Sequence, residues 1–178
     1  MRNNPERVAW VVLTAAFMTF CILAVGIPLG IRSYLLKSTE NQDTELRVIE
    51  GTLLVQKARQ SELTAVTNTA NLSPGDELFT DNTSWATLDM FERSHVTLYS
   101  NTSVKLVESQ APRFQVSDQT NQVTLEVTGG LVRIGVALPV ERATTFEVVT
   151  PQTRLRLDEG SYRIEVTNQG TQVTVVRG

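Results

Sequence analysis

Hydrophobic and polar residues divide the chain into one continuous apolar segment and a long region in which the two kinds alternate. No charged residue occurs between Val8 and Ile31, and roughly 20 apolar residues are enough for a helix to cross a bilayer. The pattern therefore predicts a single transmembrane helix over residues 8–36. It also predicts a short stub at 1–7 and a polar juxtamembrane linker at 37–45.

Beyond the linker, in residues 46–178, the hydrophobic period changes to two in a series of runs, which is typical of strands with one buried face. The alternating positions are Ala86, Leu88, Met90, Val96, Leu98, Val104, Leu106, Phe114, Val116, Val123, Leu125, Val127, Val132, Ile134, Val136, Phe146, Val148, Leu155, Leu157, Tyr162, Ile164, Val166, Val173 and Val175. Turn-forming residues separate the runs, among them the Gly129-Gly130 pair. We expect one all-β domain, and this spacing leaves a sandwich, a roll and a short solenoid open.

The charges that flank the apolar segment do not decide its orientation, because Arg2 and Arg7 precede it while Arg32 and Lys37 follow it. The downstream domain is rich in Thr and Asn and lacks cysteine, as an exported domain can. We therefore predict a cytoplasmic N-terminus and a periplasmic or extracellular domain at the cell membrane.

A cleaved signal peptide is the alternative interpretation of the apolar segment. Its apolar region would span only about 7 to 15 residues, and this segment is longer. Gly26 and Gly30 have the spacing of a helix-pairing motif, but glycine is common in membrane helices and Pro28 lies between them. Cys21 lies in the same segment and is interpreted as a small apolar residue rather than a lipidated one.

The composition and the side-chain inventory argue against catalysis. A formal net charge of -3 does not favour binding to nucleic acid. His95 is the single histidine and Cys21 the single cysteine, so the parts of a triad or of a zinc site are missing, and His95 is interpreted as an ordinary residue at the start of a strand. We expect no enzyme, no cofactor, no metal and no small-molecule substrate. The clustered acids are interpreted as solvated turn residues rather than as calcium ligands: Asp76, Asp81, Asp89 and Glu92.

Three aromatic residues are candidates for a surface that binds a partner protein: Trp85, Phe91 and Tyr99. The alternation assigns some of them to the core side, and burial is the commoner fate of large aromatic side chains. Both interpretations stay open at the level of the sequence.

Two segments, 72–106 and 129–178, resemble the FecR domain of bacterial membrane regulators. The first contains L-S-P-G-D-E-L-F-T from Leu72 and S-H-V-T-L-Y-S-N-T-S-V-K-L from Ser94. The second contains F-E-V-V-T-P from Phe146, D-E-G-S-Y-R-I-E-V from Asp158 and G-T-Q-V-T-V-V-R-G from Gly170. Each piece alone is weak, but the ordered set is specific.

The resemblance implies a solenoid-like stack or roll of short strands, ahead of a β-sandwich. The residues that match the motifs serve the fold rather than a reaction: Gly75 and Asp76 form a turn that directs Leu78 inward, and Pro151 ends a strand. Gly160 and Gly170 belong to the later turns of the same pattern.

The resemblance also implies a membrane-anchored module that binds an unidentified protein partner in signal relay, sigma-factor regulation or envelope regulation. Family regulators that antagonise sigma factors carry a folded cytoplasmic domain, which the stub at 1–7 does not provide. The alternative is a structural surface protein that forms homo-oligomers through open sheet edges. A hydrolase that uses the clustered acids is a distant third.

Overall fold

The computed structural model describes residues 5–91, 93–137 and 142–177. The chain divides into two compact units. The helical unit comprises Met1–Ser38 together with Arg113–Gln119, and the β unit comprises Thr39–Pro112 together with Thr120–Gly178.

The predicted helix is present as α1, Pro5–Lys37. It is the one helix within the described residues that is long and apolar enough to cross a membrane, and none of its apolar window is buried against protein. Within its uncharged stretch, residues 8–31, the hydroxyls of Thr14 and Thr19 donate to the carbonyls of Trp10 and Ala15 one turn earlier, at 2.8 and 2.9 Å. The helix therefore presents apolar side chains in all directions while its hydroxyl groups stay satisfied.

The rest of the described secondary structure is β-strand. Strands make up 52% of the chain, so the all-β prediction for the domain after α1 is confirmed. The strands are β1 (Thr39–Asn41), β2 (Thr44–Glu50), β3 (Leu53–Gln56), β4 (Leu63–Val66), β5 (Thr69–Leu72), β6 (Glu77–Thr80), β7 (Trp85–Asp89), β8 (His95–Leu98), β9 (Ser103–Pro112), β10 (Asn121–Val136), β11 (Thr144–Val149), β12 (Arg154–Leu157), β13 (Gly160–Thr167) and β14 (Gly170–Arg177).

These strands form one 14-stranded sheet that is nearly closed and barrel-like. The main path runs β4-β3-β6-β9-β10-β8-β7-β2-β5, and β1 and β11 to β14 attach beside it. A solenoid stacks each coil on the next, whereas here β2 and β3, which follow one another in the chain, lie near opposite ends of the path. The sheet is therefore not clearly the predicted solenoid-like stack, nor the alternative sandwich.

Strand β10 pairs with different strands along its two halves. Up to Gly129 it pairs with β9 and β11, and from Gly130 onward it pairs with β8 and β13. Gly130 has a φ of +93°, a conformation that glycine adopts without the steric cost of a Cβ. The glycine pair predicted to be a turn between two strands is thus a bend inside one continuous strand.

The alternating apolar residues form the core, as the pattern predicts. The largest of them that are fully buried are Leu88, Leu98, Leu106, Leu125, Ile134, Phe146 and Ile164. Each such side chain contributes about 1.5–3 kcal/mol relative to an exposed position. The core also includes residues that the alternation analysis did not name: Leu46, Leu53, Val55 and Leu72.

Two of the predicted buried runs are wrong. Phe114 and Val116 lie outside the strands, in the segment 113–119, and Val116 is 62% exposed. Val173 and Val175 do belong to a strand, but β14 pairs with β13 alone, and Val175 is 61% exposed. Alternation identifies a strand but does not reveal whether another element covers its apolar face.

The segment 37–45, expected to be a linker, contains strand β1 and the beginning of β2. Strand β1 pairs with β9 in the register Glu40 with Ala111, and its own side chains are exposed. Thr44, the first residue of β2, is fully buried. Polar residues can form such a strand because the ladder is made by backbone groups, which every residue type provides.

Candidate interaction surface

The turn at Ser73-Pro74-Gly75-Asp76 is built around a buried carboxylate. Asp76 is 1% exposed, and it accepts hydrogen bonds from the Lys57 ammonium at 2.8 Å, the Ala58 amide at 2.8 Å and the Ser73 amide at 3.0 Å. Burial alone would raise the pKa of this carboxyl, but the hydrogen bonds from Lys57, Ser73 and Ala58 outweigh it, so the pKa lies below its ordinary value. Asp76 thus ties the turn to the end of β3.

A second turn is organised by Asp81, which is exposed. Its carboxylate accepts the amides of Thr83 and Ser84 at 2.8 and 2.7 Å. These bonds, the Thr83 amide first, lower the pKa of Asp81 to about 2. Asp89 lies elsewhere, 3.7 Å from Arg47, and Glu92 falls outside the described residues.

The acids therefore serve separate turns and surface pairs. Across the described residues no cluster of three or more His, Cys, Asp or Glu side chains has the arrangement of a metal site. The buried carboxylate of Asp76 already accepts hydrogen bonds from Lys57, Ala58 and Ser73. At this turn Gly75 has a φ of +100°, and Leu78, just beyond the turn, is fully buried.

The later motif residues also lie at strand boundaries. Pro151 follows the end of β11 and is exposed, Gly160 opens β13 and Gly170 opens β14. The hydroxyl of Thr171 donates to Thr150 at 2.9 Å, next to Pro151.

Two of the three candidate aromatic residues lie side by side on the outward face of the sheet. Strands β7 and β8 pair Ala86 with Leu98, both fully buried, so Trp85 and Tyr99, one position further on, oppose each other and point outward. Each is 36% exposed. The Trp85 indole donates to Glu50 at 3.2 Å, which fixes the ring on the surface.

The third aromatic, Phe91, lies at the other end of β7 and packs against the core. It therefore does not join Trp85 and Tyr99 in one patch. The sequence offered all three as candidates for one surface, whereas Phe91 lies beyond the far end of the β7–β8 ladder.

The outward row continues across β10 and β13. The Tyr99 amide donates to the Leu131 carbonyl at 3.1 Å, so Leu131 is the next residue along this row. In the adjacent row Arg133 is paired with Arg163 across the β10–β13 ladder, and both are exposed. Neither arginine makes an ion pair within the described residues. Sequence reasoning missed this arrangement, because the two arginines are brought together by strand pairing.

The helical unit contains a second organised surface, at the C-terminal end of α1. Tyr34 stacks edge to face on Phe114, with ring centroids 5.8 Å apart. The Ser117 hydroxyl donates to the Leu36 carbonyl at 2.6 Å, and the Arg113 amide donates to the Ser38 carbonyl at 2.9 Å. Carbonyl groups that a helix end leaves without partners are satisfied in this way.

Comparison with known proteins assigns residues 76–178 to the family described as FecR protein. Comparison with curated proteins gave no match, and comparison with solved structures gave none either. The matched residues begin at the Asp76 turn, include both aromatic residues of the outward row and extend through β14. They amount to more than half of the 178 residues. The resemblance noted in the motifs is confirmed, and the chain belongs to the FecR family.

Proposed function

We propose that this protein is a single-pass, membrane-anchored FecR module whose β unit lies outside the cytoplasm and relays a signal by binding another protein. The FecR family acts in signal transduction and regulation in bacteria and is regulatory rather than enzymatic. The observation that carries the proposal is the occurrence, in one chain, of this domain and of an apolar helix that no protein segment buries. Sigma-factor or envelope regulation is the process we assign to it.

The aromatic residues of α1 support the membrane assignment. Trp10 and Tyr34 lie near the two ends of the apolar segment and are both exposed. At about 1.5 Å of rise per residue they are separated by about 36 Å along the helix, somewhat more than the roughly 30 Å of the hydrocarbon core. Trp and Tyr concentrate at the two membrane interfaces. A helix with this spacing matches the bilayer thickness.

The proposed topology predicts that protease added to intact spheroplasts digests the β unit. The reason is that a domain on the outer side of the membrane is accessible, whereas the cytoplasmic end of α1 is not. An epitope tag at the C-terminus, followed by immunoblotting, measures the loss. Protection of the tag in intact spheroplasts, with digestion only after lysis, would reverse the orientation. A soluble, shortened protein in the culture fluid or periplasm would identify α1 as a cleaved signal sequence.

The outward row of Trp85, Tyr99 and Leu131 is the surface we assign to the partner protein. Binding energy in protein interfaces concentrates in Trp, Tyr and Arg side chains, and Arg133 and Arg163 lie in the next row without an ion pair in the described structure. Two like charges that face each other across a ladder are unfavourable unless something compensates them. Acidic groups of a partner would provide that compensation.

Replacing Trp85 and Tyr99 by alanine is expected to reduce partner capture at least five-fold, because an interface aromatic residue contributes more than about 1 kcal/mol. A photoreactive amino acid at Thr97, on the same face, reports the capture in living cells as a crosslinked band. Because each side chain is only 36% exposed, some stability is lost as well, and the unfolding free energy is measured beside the crosslinking so that capture is compared between folded proteins.

The matched control is Leu54→Ala, which removes an exposed apolar side chain from β3, outside the outward row. It should leave the crosslinked band unchanged. If the double alanine variant crosslinks as the parent does, the outward row is not the partner surface. If no photoreactive position on the β unit yields a discrete band, the protein-relay function itself is contradicted.

A structural surface protein is the second candidate, and one observation favours it. Strand β14 pairs on one side only and exposes Val173, Val175 and Val176, and an apolar open edge is a template for pairing with a second copy. Sedimentation of the full chain in detergent micelles distinguishes the two candidates. Concentration-dependent growth into large assemblies favours the structural role, and a constant monomer mass excludes it.

A further inference from the structure

One face of the C-terminal part of α1 forms the wall of an open apolar groove. The groove has a volume of about 540 Å³ and is lined by Pro28, Ile31, Arg32, Leu35, Leu36 and Val116. The five helical positions follow the spacing of a single helix face. Val116, in the segment 113–119, lines the groove opposite the helix, and its side chain is largely exposed. Together the valine and the apolar helix face form a contiguous nonpolar surface, and such a surface marks a site that contacts a protein, a ligand or a membrane.

The segment 113–119, here called the interface loop, is fixed to the helix end rather than free. The Ser117 hydroxyl donates to the Leu36 carbonyl, the Arg113 backbone amide donates to the Ser38 carbonyl, and Phe114 packs on Tyr34. The orientation of Val116 toward the groove is therefore built into the fold of the helical unit. Since the Ser117 hydroxyl satisfies the Leu36 carbonyl in the last turn of α1, the loop also caps the C-terminal end of the helix.

The end of the uncharged segment indicates the level at which the groove lies relative to a bilayer. The segment ends at Ile31, and Arg32 is the first charged residue after it. Tyr34, a residue type typical of the membrane interface, follows within one turn. If α1 spans a bilayer as proposed, the groove lies where hydrocarbon gives way to headgroups. Its apolar wall then faces acyl chains and its charged rim faces phosphates.

Two arginines belong to this region. Arg32 lines the groove, and Arg113 extends from the interface loop, with its guanidinium 3.4 Å from the Tyr34 hydroxyl and 5.9 Å from the centre of the Phe114 ring. Neither arginine has a carboxylate within ion-pair distance in the described structure, and the acid of the loop, Asp118, makes no ion pair there either. Guanidinium groups bind phosphate oxygens in a bidentate manner.

We propose that the interface loop and the groove on α1 form a binding site for an anionic phospholipid of the bilayer. Val116 and the helix face contact its acyl chains, and Arg32 and Arg113 contact its headgroup. The inference rests on the proposed membrane anchoring. It assigns to the interface loop the role of contacting lipid where α1 leaves the membrane, and this role is independent of which protein the β unit binds.

The test uses the full chain with Cys21→Ser, reconstituted into vesicles of equal parts phosphatidylcholine and phosphatidylglycerol. An environment-sensitive fluorophore is attached to one introduced cysteine, in Val25→Cys, Val116→Cys or Val175→Cys. Lipids that carry a nitroxide near the headgroup, or deep in the chain, then quench the label according to its depth. We expect the label at Val25 to respond to the deep nitroxide and the label at Val116 to the shallow one, with Val175 as the matched exposed control.

The three labels separate the failure of this inference from the failure of the anchor. Quenching at Val25 without quenching at Val116 overturns the interface loop while the anchor stands. No quenching at either position contradicts both. Equal quenching at Val116 and Val175 also overturns the proposal, because contact with lipid would then not be particular to the loop.

The headgroup assignment is tested by moving the nitroxide from one lipid to the other. We expect phosphatidylglycerol to be preferred over phosphatidylcholine near Val116, and Arg32→Gln or Arg113→Gln to reduce this preference by about five-fold each, as expected for one basic residue at an anionic surface. Far-UV circular dichroism confirms that each variant is folded. A parent protein with equal quenching by both lipids contradicts the anionic lipid.

Discussion

Replacing Gly130 by alanine is expected to destabilise the β unit by about 3 kcal/mol. The φ of +93° is unfavourable for any residue with a Cβ, at a cost on the order of 1–2 kcal/mol. A Cβ at this position would also overlap the Thr102 hydroxyl and the backbone of residues 101 and 102. Chemical denaturation of the full chain in detergent micelles, followed by the β signal in circular dichroism, measures the loss.

The overlap with Thr102 makes the effect larger than that of an ordinary glycine substitution. Thr102 is buried, its hydroxyl accepts the Leu131 amide at 3.0 Å, and its own amide donates to the Thr80 hydroxyl at 2.8 Å. Moving Thr102 away from an added methyl group would break these bonds. The bend of β10 at Gly130 and the hydrogen bond between Thr102 and Thr80 therefore stabilise each other.

Gly129→Ala is the matched control for Gly130→Ala. It adds the same methyl group one residue earlier, where no other atom lies within 4 Å and φ is not positive. We expect a change of less than about 1 kcal/mol, in either direction. Equal losses for the two variants would show that the bend at Gly130 is not required by the fold.

The bend illustrates what the sequence predicts and what it does not. A pair of glycines between two alternating runs is locally the same signal as a turn. Whether the chain reverses there or continues depends on which strands accept its hydrogen bonds, and β8, β9, β11 and β13 come from distant parts of the chain. Non-local pairing therefore decided between two structures that the local residues allow.

The core was predictable for the opposite reason. Alternation is a local property, and a closed sheet buries one face of most of its strands, so positions such as Leu125 and Ile134 could be assigned from their spacing. The same rule failed at Val116 and Val175, which are 62% and 61% exposed. Coverage is a property of the tertiary structure.

The two candidate surfaces were predictable to different degrees. Trp85 and Tyr99 could be named as candidates because Trp and Tyr are enriched at protein interfaces, but that they face each other required the β7–β8 register. The groove on α1 could not be found from the sequence. Apolar residues surround the helix on all sides, so the face that carries Pro28 and Ile31 has no distinguishing pattern until Val116 lies against it.

Asp76→Asn is expected to destabilise the β unit by about 3 kcal/mol at neutral pH. The carboxylate receives three donors, from Lys57, Ala58 and Ser73. An asparagine keeps one acceptor oxygen and turns an NH₂ group toward donors, which leaves buried groups unpaired. Loss of one partner of a buried ion pair costs about 3–5 kcal/mol, and the partial exposure of Lys57 places this pair at the lower end of that range.

Asp89→Asn is the matched control for the charge removed. Asp89 lies 3.7 Å from Arg47, and both side chains are about half exposed. A solvated pair of this kind contributes between about 0 and 1 kcal/mol. The two variants change the net charge equally, so a difference between them reports the buried hydrogen bonds. Similar losses of unfolding free energy in both variants would mean that the hydrogen bonds of Asp76 do not stabilise the fold.

The pH dependence of unfolding gives an independent test of the same carboxylate. The pKa of Asp76 is lower in the folded chain than its ordinary value of 3.8. Its contribution to stability is therefore fully present above the unfolded pKa, and it is lost as the pH falls through the folded pKa. Asp81, whose pKa is about 2, acts in the same direction. We expect the unfolding free energy of the parent to decrease below about pH 4, and that of Asp76→Asn to decrease less steeply. In the variant, residue 76 no longer binds a proton. Parallel curves for parent and variant would therefore show that the Asp76 carboxylate does not stabilise the turn.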